Sequence, residues 1–149
     1  LRRNRWRERI RKAPWVIREQ DAPLERNRMG IYRWYLHPSL ADSACNIFLF
    51  WVQEIPPGSR SGKQKHQGGR MHFVIEGEGY TVIDGQKCEW KAEDLLILPI
   101  KAGGVVFQHF NSDRSRPAKL AVAEFNWYDM GGVDLACGFE QLEDSPDYS

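Results

Sequence analysis

A chain of 149 residues with 42% apolar and 28% charged residues has the size and make-up of a single domain with one core. Its net charge of +1 excludes a molecule that binds nucleic acid by overall electrostatics. Three cysteines, Cys45, Cys88 and Cys137, are odd in number and form no C-x-x-C pair, which argues against a disulfide scaffold or zinc ribbon and for a reducing, cytoplasmic setting.

The N-terminal stretch is basic: Arg2, Arg3, Arg5, Arg7, Arg9, Arg11, Lys12 and Arg18 face a single Glu8. No apolar core follows these charges, so a secretory signal is not expected, and the sequence opens at Leu1 rather than methionine. Residues 5–12 read as a short helix stopped before Pro14. Trp6 and Ile10 stand four apart on one face, so a solvated helix explains the charges more simply than an anionic partner does. Residues 19–30 read as a connecting arm.

The pattern then turns to β. "IYRWYL" (31–36) and "NIFLFWVQEI" (46–55) are rich in branched and aromatic residues, and Pro56-Pro57-Gly58 stops the second. The stretch "KQKHQGGRMHFVIEGEGYTVIDG" (63–85) places two histidines six apart, followed by two short strands. "KCEW" (87–90), "DLLILP" (94–99), "GVVFQHFN" (104–111) and "AKLAVAEF" (118–125) complete the set. Short strands broken by Gly, Pro, Asn and Asp predict an all-β antiparallel sandwich or barrel. The acidic end, residues 126–149, loses the pattern. No apolar run reaches the ~18 residues of a membrane span, so neither a membrane nor a nucleic-acid partner is expected. The expected organisation is an N-terminal helix and arm over 1–30, a β-barrel over 31–126 and a tail over 127–149.

The order Gly58, Glu76-Gly77-Glu78-Gly79, Asp84-Gly85, Glu93-Asp94, Pro99, Gly104 and Asn111 resembles the two strand motifs of the cupin superfamily. "VIEGEGYTVIDGQKCEW" followed by "DLLILP" is especially similar to gentisate-type aromatic dioxygenases. The resemblance implies a cupin-type jelly-roll β-barrel, one transition metal ion per chain and a homodimer paired through N-terminal strands. Iron is the first metal it implies, with manganese, copper, nickel and zinc as alternatives. It also implies a small aromatic acid as substrate of a metal-dependent dioxygenase. A metal-dependent lyase, isomerase or decarboxylase and a metal-free binding protein remain open beside it.

Counting from Glu76 and Asn111, the family's four ligand positions fall on Gln64, His66, Arg70 and Phe107, so one of four usual ligands is kept. Side chains two apart on a strand share a face, which places His72 beside Arg70 and His109 beside Phe107. His66, His72 and His109 could therefore hold a displaced metal, with Gln64 as a weak fourth ligand. The same three could instead be buried, hydrogen-bonded polar residues. The fourth histidine, His37, lies outside both motifs. Arg70 could orient a substrate carboxylate or pair with an acidic residue such as Glu76 or Glu78. Gln64 would hydrogen-bond bound oxygen or water, and Tyr80 is a candidate acid. Gly68-Gly69 reads as a hairpin turn. Leu49 and Trp51 share one face of their strand and Phe48 and Phe50 the other, one lining the core and the other a pocket or partner.

Overall fold

In a computed structural model, residues 8–9, 11–40, 45, 47–126 and 139–148 are described. Of the expected N-terminal helix, Glu8, Arg9, Arg11 and Lys12 are helical, whereas Trp6, Ile10 and Cys137 lie outside the described residues. A single 3-10 turn, Glu19–Asp21, precedes the strands.

Eleven strands follow among the described residues: β1 Leu24–Asn27, β2 Gly30–Leu36, β3 Phe48–Ile55, β4 Lys63–His66, β5 Met71–Glu76, β6 Glu78–Ile83, β7 Gln86–Lys91, β8 Leu95–Ile97, β9 Val105–Asn111, β10 Ala118–Phe125 and β11 Phe139–Glu143. They make two antiparallel sheets. One runs β1-β2-β3-β10-β5-β8, the other β11-β4-β9-β6-β7. The strand spacing predicts an all-β antiparallel arrangement, and the two sheets make the jelly roll that the resemblance implies.

Alternation along the strands sets which side chains meet inside. On β3, Leu49, Trp51, Gln53 and Ile55 are buried and the residues between them are not. Register pairs Trp51 with Val122 of β10, and Val122 in turn with His72 of β5. On the opposing sheet, β9 turns Val105, Phe107 and His109 inward beside Gln64, His66 and Thr81. The larger apolar cluster joins Tyr32, Leu49, Trp51, Ile55, Val74, Trp90, Leu120 and Val122 across the two sheets. Gly79 is needed where Trp90 packs: a Cβ there would meet the Trp90 ring at 2.6 Å and the Phe110 carbonyl oxygen.

Three expectations change. Residues 24–27 of the arm form β1, paired with β2, and residues 139–143 of the tail form β11, paired with β4. Gly68-Gly69 does not close a hairpin, because β4 and β5 belong to different sheets. Both glycines have positive φ, 94° and 73°, which turns the chain across from one sheet to the other. A side chain at Gly68 would collide with the Pro99 carbonyl.

Candidate functional site

Strands β4, β5 and β9, with Arg70 just before β5, bring Gln64, His66, Arg70, His72 and His109 into the barrel, each 7% exposed or less. They fall into two groups. Arg70 organises the first. Its Nε donates to Glu124 Oε2 at 2.6 Å and its Nη1 to Gln64 Oε1 at 3.0 Å. Its guanidinium carbon lies 5.1 Å from the Trp51 ring centre and 5.6 Å from that of Phe107. His66 joins through Nε2, 3.1 Å from the same Glu124 oxygen. Its Nδ1 accepts the Gly68 backbone N–H at 3.0 Å, so the network assigns the proton to Nε2. Burial pushes the Glu124 carboxyl up, but Arg70 and His66 outweigh it and hold it down at about 2. Glu124 is therefore an anion paired with a permanent cation.

The second group is His72 and His109, with ring centres 4.6 Å apart. Trp90 Nε1 donates to Thr81 Oγ1 at 2.9 Å, and that oxygen lies 2.7 Å from His109 Nδ1. The hydroxyl can accept from the indole while donating to the imidazole. His72 Nδ1 and His109 Nε2 are buried and have no hydrogen-bond partner among the described residues. Burial, with the neighbouring Arg70 charge, holds His109 down at about 3. Burial, His109 and Arg70 likewise hold His72 well below the usual imidazole range. Both rings are neutral near pH 7.

The three histidines are thus divided rather than gathered. His66 bonds to Glu124, while the His72 and His109 rings pack on each other. Among the described residues no group of three His, Cys, Asp or Glu side chains is arranged to hold a metal ion. At the four motif positions the fit is poor. Gln64 Oε1 accepts from Arg70, both nitrogens of His66 are engaged, Phe107 offers no donor, and a guanidinium cation lies among them. Tyr80 is not brought to the site. It stands on the other face of β6 from Thr81, stacked on Phe110 at 4.7 Å with Lys87 over its ring. Arg70 does form an ion pair, though with Glu124 and not with Glu76 or Glu78.

Above the Arg70–Glu124 pair opens a cavity of about 600 Å³. Tyr32 and Trp34 from β2, Leu49 and Trp51 from β3, and Met29 form its apolar wall, and His37, Ser39 and Glu25 stand toward its rim. The rings pack on one another: Tyr32 stacks on Trp51 at 5.5 Å and Trp34 tilts against Trp51 at 5.1 Å. Trp34 Nε1 donates to Glu25 Oε2 at 2.6 Å. Burial pushes the Tyr32 phenol up to about 12 despite the pull of Arg70, so it stays a neutral hydroxyl. Sequence reasoning missed Tyr32, Trp34 and Glu124 as site residues. The signal was strand parity: Tyr32 and Trp34 are two apart on β2, and Glu124 continues the inward series Ala118, Leu120, Val122 on β10.

Comparison with known proteins agrees with this architecture. The family description "Cupin domain" matches residues 51–124. Gentisate 1,2-dioxygenase from Ralstonia is 35% identical over 49 residues, a match covering 32% of this chain and 14% of that enzyme's length. Among solved structures, the cupin domain of Cnp3 from Schizosaccharomyces pombe superposes with a TM-score of 0.58 at 11% identity, over 80% of this chain and 82% of that one. A variant of salicylate 1,2-dioxygenase from Pseudoaminobacter salicylatoxidans, in complex with gentisate, gives 0.59 at 21% identity, over 96% of this chain and 36% of that one. At these identities the superpositions show a shared fold. No helix among the described residues is long and apolar enough to cross a membrane.

Proposed function

Because the chain belongs to the cupin superfamily, we propose that it does what the cavity of this barrel is shaped for: it binds a small, flat, largely apolar molecule against Trp34, above the Arg70–Glu124 pair. The observation that carries this reading is the cavity itself. About 600 Å³ is the size of small-molecule sites, and a mostly apolar wall with a few fixed polar groups is their usual lining. An aromatic ring on Trp34 would gain stacking, while Tyr32, Leu49 and Trp51 supply the rest of the apolar wall. The gentisate bound in the salicylate dioxygenase structure makes an aromatic ligand the natural first class to try. The test is thermal unfolding with a panel of flat aromatics, on wild type and on Trp34→Ala. A rise in Tm with wild type that the variant loses supports the proposal. No rise with any compound contradicts it.

A second reading is a metal-dependent dioxygenase, favoured by one observation. His72 Nδ1 and His109 Nε2 are buried nitrogens without partners among the described residues; His109 Nε2 could bind a metal only in the tautomer that carries its proton on Nδ1, toward Thr81, and they number two and not three. Metal content per chain after incubation with iron(II) or copper(II), for wild type beside His72→Ala and His109→Ala, tests it. Stoichiometric metal lost in both variants would support it, and oxygen uptake with aromatic acids would then be measured. Metal-free wild type would end it.

The proposed assembly is a homodimer. On the outer face of the first sheet, Met71, Phe73, Leu95 and Ile97 form a register-matched apolar block, each between 42% and 57% exposed. A second copy of this chain is the proposed cover for that block.

A further inference from the structure

Resting on the pocket reading above, we infer that Glu124 sets the charge class of the ligand. Its carboxylate takes the place at Arg70 that an acidic ligand would otherwise occupy, so the cavity accepts neutral flat molecules and refuses aromatic carboxylates.

Among the described residues that line the cavity, Arg70 is the one Lys or Arg side chain, and it is 3% exposed. Two of its donors go to protein acceptors: Nε to Glu124 and Nη1 to Gln64. Trp51 and Phe107 lie against its guanidinium. An arginine left open at a cavity floor is a bidentate clamp for a carboxylate. This one is already clamped, by a carboxylate that belongs to the chain. The remaining charged lining is acidic, since Glu25 and Glu124 both border the cavity. Two carboxylates against one guanidinium leave the cavity wall net negative. Among the described lining residues, an entering anion would meet two carboxylates and a guanidinium already paired with one of them, and like-charge juxtaposition in a partly buried site is strongly unfavourable. Selection by repulsion of the wrong charge is a recognised route to specificity. Glu124 is thus a specificity-determining residue placed where the sequence resemblance would have put a substrate's acid group.

The experiment compares benzamide and benzoate, which share shape and differ in charge, by calorimetric titration at pH 7. Wild type is expected to bind benzamide and to bind benzoate at least about tenfold more weakly. In Glu124→Gln the amide oxygen still accepts from Arg70, but the guanidinium charge is uncompensated. Benzoate should then overtake benzamide. Equal binding of the pair by wild type, or a preference for benzoate, would overturn the inference and leave the pocket reading standing. Binding of neither compound at millimolar concentration would overturn both. A folded Glu124→Gln, checked by circular dichroism, that keeps the wild-type preference would remove Glu124 from the role. The wild-type comparison needs no variant, so the inference stays open to refutation even if Glu124→Gln does not fold.

Discussion

Replacing Arg70 by methionine should cost far more than loss of a surface charge. Methionine roughly preserves the aliphatic stem, so the change isolates the guanidinium. What is lost is the 2.6 Å bond to Glu124, the 3.0 Å bond to Gln64 and the contacts with the Trp51 and Phe107 rings. What remains is a carboxylate only 14% exposed, with His66 as its other partner. Breaking a buried pair from one side typically costs about 3–5 kcal/mol, because the surviving charge is uncompensated. Glu124 would respond by protonating more readily, so its carboxyl should rise from about 2 toward and above its ordinary value. Arg70→Met combined with Glu124→Leu removes both charges and should be far less damaging than the two single costs added, with a coupling of at least ~2 kcal/mol. Urea unfolding followed by tryptophan fluorescence measures all four proteins. A single-variant cost under about 1 kcal/mol, or costs that simply add, would refute the view that Arg70 and Glu124 form one buried charge unit.

Other expectations follow from the second group. His72 and His109 are held neutral in the folded protein, well below and at about 3 against an ordinary 6.5. Below pH 6.5 the unfolded chain therefore binds more protons than the folded one, and stability should be full above that pH and fall as the pH drops toward 3, by up to about 1.4 kcal/mol per pH unit for each ring. His109→Gln should flatten that slope in urea titrations between pH 7 and pH 4; an unchanged slope would count against it. Thr81→Val strands both Trp90 Nε1 and His109 Nδ1 and should cost about 2–3 kcal/mol, while Thr81→Ser should recover most of it in the same assay. Light scattering should give twice the 17.3 kDa chain mass, and Phe73→Lys with Ile97→Lys should return a monomer that keeps its circular dichroism.

Much of the fold was legible because alternation is a local property. "NIFLFWVQEI" (46–55) and "AKLAVAEF" (118–125) each carry an inward series, and strands form over Phe48–Ile55 and Ala118–Phe125. β1 escaped because Leu24–Asn27 is a short edge strand with three exposed residues, stabilised by pairing with β2 and not by its own apolar pattern. β11 escaped for a similar reason: its acidic sequence meets β4 through a Lys63–Glu143 ion pair of 2.9 Å. In the site, parity correctly turned Gln64, His66, His72 and His109 inward. What parity could not show is which partner each would choose. His66 lies nearest in sequence to the Gly68 turn and accepts from it, and that bond leaves Nε2 aimed at Glu124, a residue 58 positions away whose role depends on the pairing of β10 with β3 and β5. Long-range pairing of this kind has no local sequence signal.

The central claim is that a flat neutral molecule sits on Trp34 above the Arg70–Glu124 pair. The chain has six tryptophans, each with an indole N–H visible in a nitrogen-15 correlation spectrum. The most direct measurement is to assign those signals by substitution and titrate with benzamide. Saturable shifts of the Trp34 and Trp51 signals, with Trp90 unmoved behind Thr81, are the expected result. Shifts confined to Trp90, or no shift at any tryptophan, would contradict the account.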